Sequence, residues 1–323
     1  MRRQLAALLS GTALLVAAAA GCSDGGGTGG GDSQPGQPDQ VTVGVIPILD
    51  VAPIYLGKQQ GFFSDRNIEL TLTPAQGGAA IVPAVVSGQY QFGFSNVISL
   101  LLAQSQGLPL KVVSNGNNST GVDGEDFAAL MVKADSPIQS PKDLVGKTVA
   151  ANTLKNIVET SVRASVRKDG GDPAAVKFTE LPFPEQPAAL EAGRVDAVFV
   201  VEPFQQAVLA QGGRKIASSY VDTAPNLAVA LYFTSQQQID RNPDLVRRFT
   251  EAMQESLAYA DAHPDEARAI IATYTQIAPE VIAKLTLPKW PADVNRESVQ
   301  TLADLATEDG LLTKPADVAA LLP

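Results

Sequence analysis

Polar residues able to hold a ligand recur in this chain at one kind of place, where an apolar run gives way to a helix. Asp50 follows Val41–Ile46, Gly77-Gly78 follows Ile68–Thr73, and Ser95-Asn96 follows Gln91–Phe94. Asn152-Thr153-Leu154-Lys155 follows Lys147–Ala151, and Glu202 and Phe204 follow Ala197–Val201. A helix start leaves N–H groups unpaired, and its partial positive charge favours an anion by about 0.3–1 kcal/mol, up to about 2 when partly buried. Asp50, Ser95 and Asn152 are also residue types that cap helices, so each alone has an ordinary structural use. Five such starts at the edges of two sheets point to a ligand cleft, because open α/β folds bind at the carboxyl ends of their strands. The chemistry on offer is capture, not bond making.

Reactive groups are scarce. The single histidine, His263, precedes Pro264 at a helix end, so no triad exists unless it supplies the base. The single cysteine, Cys22, allows neither an internal disulfide nor a Cys/His metal cluster. Gly146-Lys147-Thr148 looks like the end of a phosphate loop, but Pro141 stands in place of its first glycine and a strand follows. No GxGxxG follows the first strand. No catalytic residue, metal site or cofactor is expected.

The elements that must position these residues alternate regularly. Further strands are expected at Leu110–Ser114, Phe127–Lys133, Lys177–Glu180, Lys215–Ser219 and Leu227–Thr234. Helices are expected from about Val51–Pro53 to Gln60, with Asp50 as N-cap, then to Val86, from Ser95-Asn96 to Gln106, opening at Asn152–Lys155, at Gln186–Ala192 and from Glu202 to Gly212. Asn115 to Gly121 reads as a polar turn and a boundary. Beyond Asn242 the pattern becomes helical, with Leu245, Val246, Phe249, Met253, Leu257 and Ala260 at helical spacing in Pro243–Ala262. Helices at Pro264–Tyr274, Pro279–Lys284 and Asn295–Glu308 follow. The chain builds one α/β block, then a second, and returns, which predicts two lobes and a cleft.

The 323 residues are 45% hydrophobic and 18% charged, ordinary for a globular protein, and the net charge of −10 argues against a nucleic-acid partner. The N-terminus reads differently. Arg2-Arg3 and the apolar Leu5–Ala20 form a signal peptide, residues 1–21, ending in Ala19-Ala20-Gly21-Cys22 like a lipoprotein cleavage box with Ala19 in place of the usual Leu. Residues 22–40 are a Gly-rich tether. Lipidation of Cys22 would anchor the protein to a bacterial cell membrane on its outer side.

LDVAPIYLGKQQGFF, AQGGAAIVPAVVSGQYQFGFSN, LPLKVVS, DLVGKTVA, ALEAGRVDAVFVVEPF and LVRRFTEAMQESLAYADAHPDEA resemble the periplasmic solute-binding proteins of ABC importers, over about Val41 to Leu322. The branch is that of nitrate, taurine, alkanesulfonate and thiamine-pyrimidine binders. The resemblance implies the type II two-lobe periplasmic-binding-protein fold, each lobe a mostly parallel sheet flanked by helices: 41–125 with 228–323 as the first lobe, 126–227 as the second. It implies a monomer that closes on a small solute and delivers it to permease and ATPase subunits. Cleft contacts would come from Ile48, Asp50, Gly77, Gly78, Ser95, Asn96 and Asn115 of one lobe, and Asn152, Thr153, Leu154, Lys155, Glu202 and Phe204 of the other. Alkanesulfonate binders often carry Gly-Ser near Thr153–Lys155; here it is Thr-Leu-Lys. Lys155 suits a sulfonate or aromatic carboxylate, the first expectation, whereas Asp50 and Glu202 suit a pyrimidine or other nitrogen heterocycle. Aromatic walls would come from Tyr55, Phe94, Phe127, Phe204 and Tyr232. An enzyme on the same fold and a lipid-anchored sensor are the alternatives from other classes.

Overall fold

In the computed structural model the described residues are 37–323, so the expected signal peptide and Cys22 lie outside them. Ten strands form two sheets of five. The first holds β1 (Asp39–Val45), β2 (Ile68–Pro74), β3 (Phe92–Asn96), β4 (Leu110–Asn118) and β10 (Ala228–Ser235), in the order β2-β1-β3-β10-β4. The second holds β5 (Ala128–Val132), β6 (Thr148–Ala151), β7 (Lys177–Glu180), β8 (Ala197–Val201) and β9 (Arg214–Ala217), in the order β7-β6-β8-β5-β9. In each sheet four strands run one way and one is reversed: β10 is antiparallel to β3 and β4, and β5 to β8 and β9. The reversed strands are the ones by which the chain enters the second sheet and returns to the first.

Helices cover both faces, which is why the central strands are buried throughout and mostly apolar rather than alternating. Every residue of β3, β5, β8 and β10 is buried. The helices are α1 (Ala52–Gln60), α2 (Gly78–Val86), α3 (Val97–Ser105), α4 (Ile157–Lys168), α5 (Gln186–Glu191), α6 (Phe204–Ala210), α7 (Ser219–Thr223), α8 (Gln236–Arg241), α9 (Pro243–Ala262), α10 (Pro264–Ala269), α11 (Pro279–Ile282), α12 (Arg296–Glu308) and α13 (Val318–Leu321). The helical spacing read in α9 is its inward face: Leu245, Phe249, Met253, Leu257 and Ala260 are buried, and Val246 is half-buried. Phe249 stacks on Phe92 with ring centroids 3.7 Å apart and planes 6° apart.

Helices α1 and α9 cross at Gly57. A Cβ there would lie 1.8 Å from Ser256 Oγ and 2.8 Å from Ser256 Cβ, so the crossing exists only because residue 57 has no side chain. Gly57→Ala is expected to cost about 1–3 kcal/mol, the usual penalty for overpacking. A lowered urea midpoint checks this, and adding Ser256→Gly should restore part of the loss.

Asn115 to Asn118 is strand rather than turn. The expectation of a turn beginning at Asn115 is overturned because the amides find partners inside. Asn115 Nδ2 donates to Asn118 Oδ1 at 3.0 Å and to Pro291 O at 2.8 Å, and Asn117 Nδ2 donates to Asp50 Oδ1 at 3.0 Å. The crossings follow directly, side by side: Ser119 N donates to Leu227 O at 2.9 Å and Asn118 Nδ2 to Asn226 O at 2.9 Å. Asp126 fastens the first crossing, accepting from Ser119 Oγ at 2.9 Å and from the backbone N–H of Thr120 at 2.9 Å and Phe127 at 3.0 Å.

Candidate functional site: a cleft between two sheets

The carboxyl ends of β1, β3, β6 and β8 face one another, and the two halves of the chain meet there. Asn152 Nδ2 donates to Gln76 O at 3.1 Å, Ile157 N to Asn96 Oδ1 at 3.4 Å, and Leu49 N to Glu202 O at 3.2 Å. Gly77 lets this approach happen, since a Cβ on it would stand 3.0 Å from Thr153 Cγ2 and 3.2 Å from Asn152 Nδ2. Gly78 does the same beside the first sheet, where a Cβ would fall 2.0 Å from Ser95 Oγ.

Two cavities lie along this seam. The inner one, about 30 Å³, is bounded by Asp50, Asn96, Asn152, Asn156 and Tyr220, with Ile48, Phe94 and Ile157 among its apolar walls. The outer one, about 330 Å³, has apolar walls from both sides, including Pro47, Pro74, Pro182, Phe183 and Phe204. Ile46, Ile48 and Phe183 border both. None of the residues lining either cavity is Lys, Arg or His.

Asp50 dominates the inner cavity. It is only 2% exposed, Oδ1 accepts from Asn117, and Oδ2 has no hydrogen-bond partner among the described residues. Burial pushes its carboxyl up to about 7, against the opposing pull of its backbone and Asn117 hydrogen bonds. The Tyr220 hydroxyl is raised by burial and by the charges of Asp50 and Asp126.

The caps differ from those expected. Asp50 is not an N-cap: it lies inside a 3₁₀ turn, Leu49–Val51, and its side chain turns to Asn117. Helix α3 is capped by Asn96, whose Oδ1 accepts from Ser99 N at 3.0 Å, not by Ser95. Helix α4 begins at Ile157 rather than at Asn152–Lys155, because Asn156 Oδ1 takes the Val158 N–H at 2.9 Å. Asn152 instead accepts from Asn156 Nδ2 at 2.8 Å and reaches across the seam. These caps occupy first-turn N–H groups that an anion would need.

The expected contacts therefore divide. Ile48, Asp50, Asn96 and Asn152 meet at the inner cavity, Phe204 lines the outer one, and Gly77, Gly78, Ser95 and Thr153 form the seam beside them. Asn115 points to Pro291. Leu154 is 43% exposed, and Lys155 sits at φ 53° on an exposed turn lining neither cavity. Glu202 lines neither; its Oε1 accepts from Gln205, Gln206 and Thr286 N at 3.0, 2.9 and 3.2 Å, tying the two sides together. Of the expected aromatic walls, Phe94 and Phe204 hold that place, while Tyr55 stacks on Tyr274 at 3.9 Å and Phe127 and Tyr232 are core. Asn117, Asn156, Phe183 and Tyr220 were not foreseen.

Comparison with known proteins agrees with this architecture. The chain is 26% identical over 304 residues to the riboflavin-binding protein RibY of Chloroflexus aurantiacus, covering 86% of this chain and 83% of that protein. It is 29% identical over 193 residues to the taurine-binding periplasmic protein of Escherichia coli, covering 58% of this chain and 56% of that protein. The alkanesulfonate-binding protein SsuA from Xanthomonas axonopodis pv. citri, solved bound to MOPS, superposes with a TM-score of 0.74 at 20% identity, over 89% of this chain and 99% of that one. The fold is thus the mixed α/β periplasmic-binding-protein fold that the resemblance implies. With residues 49–267 matching the family described as NMT1/THI5 like, this chain belongs to that family.

Proposed function

We propose that this protein is the extracytoplasmic solute-binding component of an ABC importer, and that its solute is a small nitrogen heterocycle with N–H donors. The lobes, 41–125 with 228–323 and 126–227, close over the solute by bending at the paired crossings, and the closed state presents it to a permease. The observation that carries the ligand class is Asp50: a buried carboxylate with one unpartnered oxygen, in a cleft whose lining holds no cation. A sulfonate placed there would meet no countercharge, and would have to push the Asp50 carboxyl, already raised to about 7 by burial, further toward its neutral form. An N–H donor satisfies the orphaned oxygen, and the second N–H of Asn96 Nδ2 and of Asn152 Nδ2, each of which makes one hydrogen bond within the protein, can pair with ring carbonyl or imine groups. The RibY relative supports this class; the taurine relative supports the anion alternative.

A thermal-shift series on the full-length protein tests the reading, with aminopyrimidines, flavins, taurine and short alkanesulfonates. A ligand at a hundred times its Kd stabilises by about 2.7 kcal/mol. Stabilisation by a heterocycle, lost in Asp50→Asn, is the expected result. Stabilisation by a sulfonate alone, unchanged in Asp50→Asn, would overturn it.

A further inference from the structure

The two halves of the chain are also fastened at a place that borders neither cavity. Helix α4 packs on α7, on the side of the second sheet, and α12 packs on α3 and β10, on the side of the first; α4 and α12 touch each other. At their carboxyl ends one arginine joins them. Arg167 Nη2 donates to Asp309 Oδ1 at 2.5 Å, and Arg167 Nε lies 3.2 Å from Glu308 Oε1. The Asp309 side chain is 4% exposed, Arg167 30% and Glu308 60%.

Local helix chemistry does not account for these acids. A helix carboxyl end carries partial negative charge and favours cations, which suits Arg167 and Lys168 in the last turn of α4. The last turn of α12 has no basic residue and closes on Glu308 and the C-cap Asp309. The two carboxylates repel each other and their own helix end, and relief comes from across the seam. Burial pushes the Asp309 carboxyl up and the Glu308 charge adds to that push, while Arg167, and then Arg163, pull it down. Lys168 is engaged elsewhere, 2.7 Å from Asp222 beside its own helix.

The pair sits at the end of a lever. The amino end of α12 is tied to the returning crossing: Asn295 Nδ2 donates to Pro225 O at 3.1 Å and to Asn226 O at 3.0 Å, and Ala228 N donates to Ser298 Oγ at 3.0 Å. From Ser298 to Asp309 the helix spans about 16 Å. Rotation about an axis across that amino end moves the far end by about 3 Å for every 10°, which breaks a hydrogen-bonded ion pair.

Resting on the hinge-closure reading above, we propose that Arg167 is a positioning residue for binding: its pairing with Asp309 and Glu308 holds the closed arrangement and sets the fraction of molecules in it. The apparent affinity for a solute that needs the closed arrangement scales with that fraction, so a side chain that touches no solute tunes its capture. Burial keeps the balance fine. Arg167 Nη1 and Asp309 Oδ2 have no hydrogen-bond partner among the described residues, and opening returns both to water.

Single-molecule fluorescence transfer on the full-length, solute-free protein tests this. The dyes sit on Glu69→Cys and Lys177→Cys in a Cys22→Ser background, at exposed positions of β2 and β7, the edge strands of the two sheets. The closed-to-open ratio should fall about tenfold in Arg167→Glu and about threefold in Arg167→Gln, which removes the charge but keeps a polar side chain. Arg167→Glu with Asp309→Arg should recover most of the loss. Raising NaCl from about 0.1 to about 1 M, which shortens the screening length from about 10 to about 3 Å, should lower the ratio with Arg167 in place and leave Arg167→Gln unchanged. A ratio indifferent to all three variants overturns the clasp. Hinge closure then stands if the distance still shortens with a compound of the thermal-shift series (aminopyrimidines, flavins, taurine, alkanesulfonates). One fixed distance in every variant and with every compound overturns both.

Discussion

Asp50→Asn should make the protein more stable at pH 8 and a worse binder at the same time. The folded state raises this carboxyl from 3.8 to about 7, chiefly by burial. Below about pH 4 the group is protonated in both folded and unfolded chains and costs nothing. As pH rises from there to 7 the unfolded chain releases the proton first, so stability falls, and above 7 the full cost is present. A shift of about three pH units corresponds to roughly 4 kcal/mol. Asn keeps the acceptor for Asn117 but introduces a buried N–H₂ of its own, which returns part of the gain at roughly 1–3 kcal/mol. The expected outcome is a gain of about 2 kcal/mol at pH 8 and a loss of about 2 kcal/mol at pH 4, where only the buried N–H₂ of the variant counts, read from urea unfolding at the two values. Asp126 and Glu202, also raised by burial, slope in the same direction and remain in the variant. An unchanged pH slope in Asp50→Asn would show that this carboxyl is not buried as described. A chain that keeps such a group unpaired gives up stability where a ligand can restore it.

Phe249→Ala should be the most damaging single truncation, at about 3–5 kcal/mol. Phe249 is fully buried on α9, stacked on Phe92 and within 5.7 Å of Phe63 and 6.4 Å of Tyr232, centroid to centroid. Phe92 sits two residues before Phe94 on β3, hence on the same face, and Phe94 is a wall of the inner cavity. A cavity left at residue 249 therefore removes packing from the strand that holds the site. The urea midpoint should fall with the slope unchanged, and the affinity for any ligand should drop with it. Phe249→Leu, which retains most of the volume, should recover more than half of the lost stability.

Strands were legible because both faces of each sheet are covered, and burial on both faces favours the Val-rich runs seen in AVFVV and VTVGV. The same logic located Asp50, Asn96 and Asn152, since each follows such a run. It failed where a polar residue is buried by long-range partners. Asn115 and Asn117 have turn-like composition, yet Pro291 and Asp50, both far off in sequence, hold them in a strand. It also misplaced the start of α4 by several residues, because Asn152 and Asn156 are equally good caps and only contact with Gln76 decides between them. Phe183 carries no periodic signal at all: it stands among Pro182 and Pro184, and its role depends on Phe204 reaching it from another segment.

The position of β10 sets an order of events during synthesis. It lies between β3 and β4, so the first sheet has a gap in its middle until Ala228–Ser235 leaves the ribosome. The second sheet needs nothing outside Ala128–Ala217 and can complete its pairing while the first still waits. The sheet entered second is thus the first whose strands are all present, while the N-terminal strands, written earliest, wait longest for their full set of partners.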